Sequence, residues 1–268
     1  MAGTRLRPDG FRERGDQVTR LEAFVDAAFA FAVTLLVISF DALPSSIDGL
    51  IDALKGTPAF AAGFALIALF WWAHNTWSRR YGLDDGIGVL LSLVLVALVL
   101  VYVYPLRMLF ASFFAWITQD WIPAGFRLDS LSDVRTMFVI YALAWATLCL
   151  VVTLLYVHAW RRRDALSLAL EERVRTREEI ARWCYAAALG GVSMATALLL
   201  PSGVPKWAVG MPGMVYSLMG LTGVVMLVSG RRQRPRIMRE MANTPHPAQE
   251  PPRLPRRRRR RPRPRTGE

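Results

Sequence analysis

Residues 20–26 read Arg-Leu-Glu-Ala-Phe-Val-Asp and run directly into the apolar segment 27–40. Asp26 therefore stands at the beginning of a stretch that has the composition of a membrane-spanning helix. A carboxylate inside such a helix is costly unless a donor or a cation compensates it, and it usually has a function. The stretch predicts an integral membrane protein whose first helix carries a functional polar group.

The composition of the whole chain agrees with this interpretation. Of its 268 residues 53% are hydrophobic, and the formal net charge is +12. Six apolar segments have about the 20 residues that a helix needs to cross a bilayer. They lie at 21–43, 57–78, 86–106, 136–160, 181–200 and 207–229. The predicted fold class is all-α integral membrane, with six transmembrane helices.

The basic residues indicate how these segments are oriented. Arginine clusters precede the first segment, follow the second and the fourth, and fill the C-terminal part of the chain. Cytoplasmic loops carry such an excess of Arg and Lys. Six helices place all four clusters on one side, so both termini are predicted to be cytoplasmic. Arginine abounds while only Lys55 and Lys206 are lysines, which is typical of a GC-rich bacterial genome and favours the bacterial plasma membrane.

Three regions follow from these patterns. Residues 1–20 form a polar basic N-terminal segment, 21–230 a six-helix transmembrane domain, and 231–268 an Arg/Pro-rich cytoplasmic tail that is expected to be disordered. The tail is expected to be solvated or to bind anionic lipid, without specific binding of nucleic acid. The mixed-charge stretch 161–182 predicts a short cytoplasmic helix between the fourth and fifth spans, and Pro105 is expected to interrupt the third.

An ideal helix of about 100° per residue gives the first segment two distinct faces. Phe31, Thr34, Leu35 and Ile38 have the spacing i, i+3, i+4 and i+7 and form one stripe. Asp26 lies about 130° from the centre of that stripe. Two arrangements remain open: the stripe faces a central axis while Asp26 turns back into its own bundle, or the stripe packs as in any transmembrane bundle.

The second segment offers hydrogen-bond partners to Asp26. Residues 70–77 read Phe-Trp-Trp-Ala-His-Asn-Thr-Trp and bring an imidazole, an amide and indole N–H groups into an apolar span. Such donors offset the desolvation of a carboxylate, so we expect His74 and its neighbours to form a network around Asp26. No second His, Cys or carboxylate stands at metal-ligand spacing beside His74, and neither a metal site nor a cofactor is expected.

Signatures of other function classes are missing from the sequence. It contains no Gly-x-Ser-x-Gly, no Walker-type loop and no His-Glu-x-x-His, so the chain is not expected to be an enzyme. The selectivity filter Thr-Val-Gly-Tyr-Gly and a regular row of arginines within a span are also missing. His158, in the fourth segment, has no motif around it.

The polar positions of the first two segments resemble those of the transmembrane protein 175 family, the potassium channels of endosomes and lysosomes with their prokaryotic relatives. Arg20, Phe24 and Asp26 match the family pattern Arg-x-x-x-Phe-Ser-Asp, which is followed by an apolar run containing Thr-Leu-Leu. Residues 70–77 resemble the family pattern Phe-Trp-x-x-His-His/Asn in the second helix. The resemblance covers about residues 14–230.

The resemblance implies a prokaryotic single-repeat member that assembles as a homotetramer around an axis lined by the first helix. It implies passive conduction that favours potassium over sodium, with potassium as the permeant ion. The pore-lining positions carried over are Phe31, Thr34, Leu35 and Ile38. The positions carried over as a structural network are Arg20, Phe24, Asp26, Trp71, His74 and Asn75. Two departures stand out: Val25 replaces the serine of the first motif, and Phe31 stands where relatives carry Leu or Ile at the narrowest ring.

The residue patterns leave two further functions open. One is a non-conducting membrane scaffold or sensor whose basic tail binds anionic lipid or a partner. The other is a proton- or cation-coupled transporter that uses Asp26 and His74. The channel hypothesis predicts selection by a narrow apolar ring, which potassium passes more readily because it loses hydration water at lower cost than sodium.

Overall fold

The computed structural model of the protein describes residues 10–12, 14, 17–38, 45–119, 121–122, 130–201 and 208–243, and its regular elements are helices. In chain order these are α1 (Arg20–Ile38), α2 (Ile47–Lys55), α3 (Thr57–Tyr81), α4 (Gly86–Ile117), α5 (Leu131–Arg161), α6 (Leu170–Leu199), α7 (Met211–Met214) and α8 (Thr222–Asn243). Short 3₁₀ helices at Ala208–Gly210 and Val215–Leu221 flank α7.

Four stretches are long and apolar enough to cross a membrane, judged by length and composition. They are Ile47–Tyr81, Gly86–Ile117, Leu131–Arg161 and Met211–Ala242. The predicted spans 21–43 and 181–200 fall on α1 and on the second half of α6, which do not meet the same standard. α1 carries three charged residues in a short described length, and residues 39–43 of that span lie outside the described residues. An all-helical membrane protein is confirmed, and the count of six spans stays a prediction.

Indole N–H groups join the helices inside the apolar bundle. Trp77 of α3 donates from Nε1 to the Leu155 carbonyl oxygen of α5 at 2.8 Å, and Trp145 of α5 donates to the Ala186 carbonyl oxygen of α6, also at 2.8 Å. A buried indole has one donor that must be satisfied, so each such bond fixes both the position and the rotation of its helix. The bundle therefore has a defined core around α3, α5 and α6.

The third span is longer than the sequence predicted. α4 continues through Pro105 to Ile117 as one helix, so the predicted interruption at Pro105 is wrong. Proline is tolerated in membrane helices where neighbouring groups satisfy the disturbed backbone. The hydroxyl of Tyr141, on α5, donates to the Pro105 carbonyl oxygen at 2.6 Å and joins α4 to α5 beside the proline.

The charged stretch 161–182 is not a separate short helix. α5 ends at Arg161, and α6 begins at Leu170 and runs without a break through the charged stretch into the predicted fifth span. Its first turn is capped by Glu172, whose carboxylate accepts the Ala169 N–H at 2.8 Å. Since no helix breaker separates the charged half from the apolar half, one helix serves both.

The helical part of the chain also extends beyond residue 230, where the tail was predicted to begin. α8 continues to Asn243. Ile237 is buried, Arg234 forms an ion pair with Glu171 of α6, and the backbone of Gly230 lies against the Glu178 side chain. The charged half of α6 thus supplies the residues that α8 contacts beyond the apolar spans. Residues 244–268, the remainder of the predicted tail, lie outside the described residues.

α5 and α6 approach each other closely at Gly190. A methyl group added there would lie 2.9 Å from the Ala146 Cβ and 3.0 Å from the Ala142 carbonyl oxygen. Small residues at such crossings let two membrane helices approach until their backbones are in contact. The next residue, Gly191, is exposed and would place its methyl group in open space.

We predict that Gly190→Ala lowers the thermal stability of the purified protein, by about 1–3 kcal/mol, because the extra methyl group forces the two backbones apart. Gly191→Ala on the same helix is the matched control and is expected to leave stability unchanged or slightly raised. Melting temperatures in one detergent compare the two variants. Equal melting temperatures would contradict the close packing at Gly190.

Candidate functional site

The two faces of α1 have opposite environments. Val25, Phe29, Ala32 and Leu36 are each at most 3% exposed and pack into the bundle core against α3 and α4. On the other face Phe24 is 54%, Phe31 55% and Val37 43% exposed. Ala27, Ala30 and Thr34 are exposed with them. α1 therefore carries an apolar face that the described part of its own chain leaves uncovered, and we call it the uncovered face.

Two of the four residues of the predicted stripe lie on this uncovered face. Phe31 and Thr34 are exposed, whereas Leu35 is half-buried and packs against the core. The side chain of Ile38 lies outside the described residues. Thr34 donates its hydroxyl hydrogen to the Ala30 carbonyl oxygen at 3.1 Å, so the lone pairs of its oxygen stay available on the exposed side.

Asp26 lies at the edge of the uncovered face and is held by α3. The Trp71 indole donates from Nε1 to Asp26 Oδ1 at 2.8 Å. Asp26 is half-buried, and Trp71 is 37% exposed. This hydrogen bond joins α1 to α3 and is one that the residue types at both positions predicted. Arg20 and Phe24, from the same motif, are exposed.

His74 has a different partner from the one predicted. It is buried, and its Nε2 lies 2.9 Å from the Ser92 hydroxyl of α4, which in turn donates to the Gly88 carbonyl oxygen at 2.8 Å. The hydrogen bond that the structure gives His74 thus joins α3 to α4. The Asp26 carboxylate is still near enough to act on the imidazole electrostatically. Trp71 and His74 are three residues apart and lie about 60° apart around the axis of α3, yet Trp71 bonds to α1 and His74 to α4. Asn75 is half-buried.

Glu22, one turn before Asp26, is also held by α3. It is 2% exposed, and Arg79 Nε lies 3.0 Å from its Oε1. From the sequence, the arginine cluster of Arg79 and Arg80 predicts only the orientation of the second span. The sequence nevertheless indicated that Glu22 needs a cation. Glu22 and Asp26 are four residues apart and lie on one face of a helix, where both carboxylates need compensation.

The polar basic segment predicted at residues 1–20 has described residues that pack against the bundle. Phe11 is completely buried, with the Arg80 guanidinium 4.5 Å from its ring centre. Arg14 forms two hydrogen bonds of 2.9 Å with the carboxylate of Glu172, which also accepts the Arg12 N–H at 2.8 Å. The chain just before α1 is therefore clasped to the first turn of α6, and we call these contacts the N-terminal clasp.

The Asp85 carboxylate organises the turn between α3 and α4. Asp85 accepts the Gly88 N–H at 3.0 Å, the His158 Nε2 at 2.8 Å and the Arg162 guanidinium at 2.8 Å. Partial burial would raise the pKa of Asp85, but the hydrogen bonds and the neighbouring cations outweigh it and hold the pKa below its usual value. The sequence analysis assigned no role to His158, because its partner lies 73 residues away in the chain.

Glu172 has the same electrostatic pattern. Burial would raise its pKa, but the Arg14 side chain and the N–H groups of Arg12 and Ala169 outweigh burial and lower the pKa. A lowered pKa contributes stability above the usual pKa of the group, and that stability is lost as the pH falls through the folded-state pKa. The N-terminal clasp is thus expected to loosen in acid.

We predict that Glu172→Gln costs about 3 kcal/mol of folding free energy at pH 7, since Arg14 then keeps a charge without its partner. The variant is also expected to lose less stability than the wild type between about pH 5 and pH 3. Melting temperatures across this range measure both effects. Glu171→Gln removes an exposed ion pair with Arg234 and serves as the control, with a cost of about 1 kcal/mol or less. An equal loss of folding free energy in the two variants would contradict a clasp centred on Glu172.

Comparisons with known proteins point in one direction. The family model described as "Endosomal/lysosomal potassium channel TMEM175" matches residues 20–105, from the beginning of α1 into α4. A protein of Marivirga tractuosa named "Potassium channel" is 34% identical over 182 residues, which cover 65% of this chain and 72% of that protein. The crystal structure of a variant of the potassium channel MtTMEM175, in complex with a Nanobody-MBP fusion protein, is similar with a TM-score of 0.72 and 30% identity. The match covers 86% of this chain and 99% of that one.

Proposed function

This chain belongs to the TMEM175 family, and from that premise we propose that it forms a potassium-selective or weakly selective cation channel. Four copies assemble as a homotetramer, and α1 of each copy lines the central pore. Each chain crosses the membrane six times with both termini in the cytoplasm, and the protein lies in a bacterial plasma membrane. The basic tail binds anionic lipid, and conduction needs no cofactor.

The observation that carries this proposal is the uncovered face of α1. A helix whose opposite face is at most 3% exposed is firmly held by its own chain, yet Phe31 is 55% exposed. α1 precedes the rest of the bundle and packs on α3 and α4. Four such helices with their uncovered faces together would enclose an axis and bury apolar surface that one chain leaves open.

The proposed mechanism of selection is partial dehydration at an apolar ring. A ring of four Phe31 side chains is too apolar to replace all the water of an ion, so the ion with the lower cost of dehydration passes more readily. Potassium is that ion, being larger than sodium. Thr34, one turn further along α1, offers an oxygen whose own hydrogen is bound to Ala30. That oxygen acts as an acceptor toward a cation and replaces part of the lost water.

Phenylalanine at this ring adds two physical effects. Its ring face is electron-rich and attracts a cation that has lost water. Its bulk narrows the axis and favours a dry, non-conducting state. The balance between these two effects sets the conductance. Leu35 is half-buried beside the core, so it contributes to the wall of the pore chiefly by supporting the Phe31 ring.

The polar contacts of α1 fix the helix that lines the pore. Asp26 and Glu22 are each held by α3, through Trp71 and Arg79. His74 holds α3 to α4 through Ser92. These groups lie on contacts between helices of one chain, so they position α1 and do not take part in dehydrating the ion.

We predict that Phe31→Ala widens the apolar ring and raises the permeability to sodium relative to potassium by about tenfold, which corresponds to about 1.4 kcal/mol. Reversal potentials of the reconstituted protein under opposed potassium and sodium gradients measure the ratio. Phe64→Ala, on the exposed surface of α3, is the matched control and is expected to leave the ratio unchanged. A wild type without potassium flux, not rescued by Phe31→Leu, would exclude conduction.

We predict that Trp71→Phe, which leaves Asp26 without its donor, lowers the yield of tetramer at least twofold while the permeability ratio of the remaining tetramer changes little. Asp26→Asn, which weakens the same bond by removing the charge, is expected to act in the same direction. Trp72→Phe changes an exposed neighbouring indole and is the control. Size-exclusion chromatography and reversal potentials separate the two readouts. Normal assembly with altered permeation would place Asp26 in the ion path.

A further inference from the structure

A pair of arginines meets one tryptophan where α5 ends. The Arg163 guanidinium carbon lies 4.8 Å and the Arg177 guanidinium carbon 4.6 Å from the centre of the Trp160 ring. Arg163 belongs to the turn after α5, whereas Arg177 comes from α6. Two cations that approach the same indole repel each other, and the ring alone compensates each of them only modestly.

The charge of this arginine pair is poorly balanced by the protein. The Nε atoms of Arg163 and Arg177 are buried and lack a hydrogen-bond partner in the described part of the chain. Arg163 Nε lies 3.9 Å from Asp164, at the outer limit of an ion pair, and that carboxylate is already bound by Arg173 at 2.8 Å. Arg177 has no ion pair with any described residue. A buried donor without a partner is costly.

We propose that Trp160, Arg163 and Arg177 form a binding site for a phosphate group. The planar guanidinium groups carry donors that match the oxygens of a phosphate, which accepts several charge-assisted hydrogen bonds at once. A bound phosphate lowers the repulsion between the two arginines. The indole holds both side chains in place before the anion arrives.

The position of the site favours an anionic lipid headgroup as the source of the phosphate. Trp160 stands at the end of a membrane-spanning helix, the depth at which indole rings concentrate, and basic pockets at this depth accept anionic headgroups. A water-soluble phosphate ester has the same anion and can reach the turn from the cytoplasm. The site is separate from the basic tail, and its occupancy does not depend on conduction by the channel.

Ligand-induced shifts of the melting temperature test the site in the full-length protein in detergent, at one fixed ionic strength. The probes are dioctanoyl phosphatidylglycerol, dioctanoylglycerol, which lacks the phosphate, and glycerol 3-phosphate, which lacks the acyl chains. A shift with the phospholipid alone assigns the site to lipid, and an equal shift with glycerol 3-phosphate assigns it to a soluble ester. No shift with either phosphate compound overturns the proposal, as does an equal shift with dioctanoylglycerol.

Two pairs of variants separate the site from the general basic charge. Arg163→Gln and Arg177→Gln are each expected to weaken phosphate binding about tenfold. Arg161→Gln and Arg175→Gln remove exposed charges next to the site in sequence, and are expected to weaken it less than twofold. Equally weakened phosphate binding in both pairs overturns the proposal, because binding would then depend only on the overall positive charge.

Two lysine variants keep the positive charge, and they distinguish a loss of binding from a loss of folding. Arg163→Lys and Arg177→Lys retain a cation but lose the planar fork and its stacking on the indole. Each is expected to fold, judged by its melting temperature without ligand, and to bind at least threefold more weakly than the wild type. Unchanged binding in both lysine variants overturns the assignment of a site built for the guanidinium plane.

Discussion

All the fixed contacts of α1 lie on one side of the helix, and the rest of the structure depends on this constraint. The two carboxylates of α1 are four residues apart, and their partners on the antiparallel helix α3 are Arg79 and Trp71. Each pair resists sliding of one helix past the other, because a shift by one turn would leave a charge without compensation in an apolar environment. Polar contacts thus fix the register, while apolar side chains supply the contact area.

The same constraint explains why α1 carries an uncovered face. Val25, Phe29, Ala32 and Leu36 use the side of the helix that α3 and α4 cover, and no described element covers the other side. Further from the apolar bundle, α1 is held at its beginning by Glu22 and by the N-terminal clasp on Glu172. The helix that we propose as the wall of the pore is therefore anchored through its buried side and its first turn, which leaves its exposed side to meet other copies.

Sequence patterns predicted the helices well wherever one physical signal dominated. The described parts of the apolar segments fall almost entirely on helices. The second segment was expected to offer Asp26 a donor from an imidazole, an amide or an indole, and the donor is the Trp71 indole. The boundaries were harder to predict, because they depend on contacts with residues far away in the chain, such as those of Tyr141 with Pro105 and of Arg234 with Glu171.

The contacts of the functional site were predicted only in part for the same reason. His74 was expected in a hydrogen-bonded network around Asp26, but whether its ring turns to Asp26 or to Ser92 depends on rotations between helices that no local pattern contains. The sequence did not predict the burial of Phe11, the contacts of Glu172 or the hydrogen bond between Asp85 and His158. Each depends on residues that are far apart in the chain. Carboxylates near arginine clusters indicated that ion pairs would form. Which carboxylate binds which arginine depends on the three-dimensional packing of the helices.

The N-terminal clasp has a consequence for the order of events during synthesis. Arg12 and Glu172 are 160 residues apart in the chain, so at 5–20 residues per second a ribosome needs about 8–30 s to make the second after the first. For that time the nascent α1 must enter the bilayer and find α3 without the contact that later holds its beginning. The segment before α1 meanwhile waits outside the bilayer with Phe11 in water, and it reaches its buried place only after the emerging α6 has folded beside it.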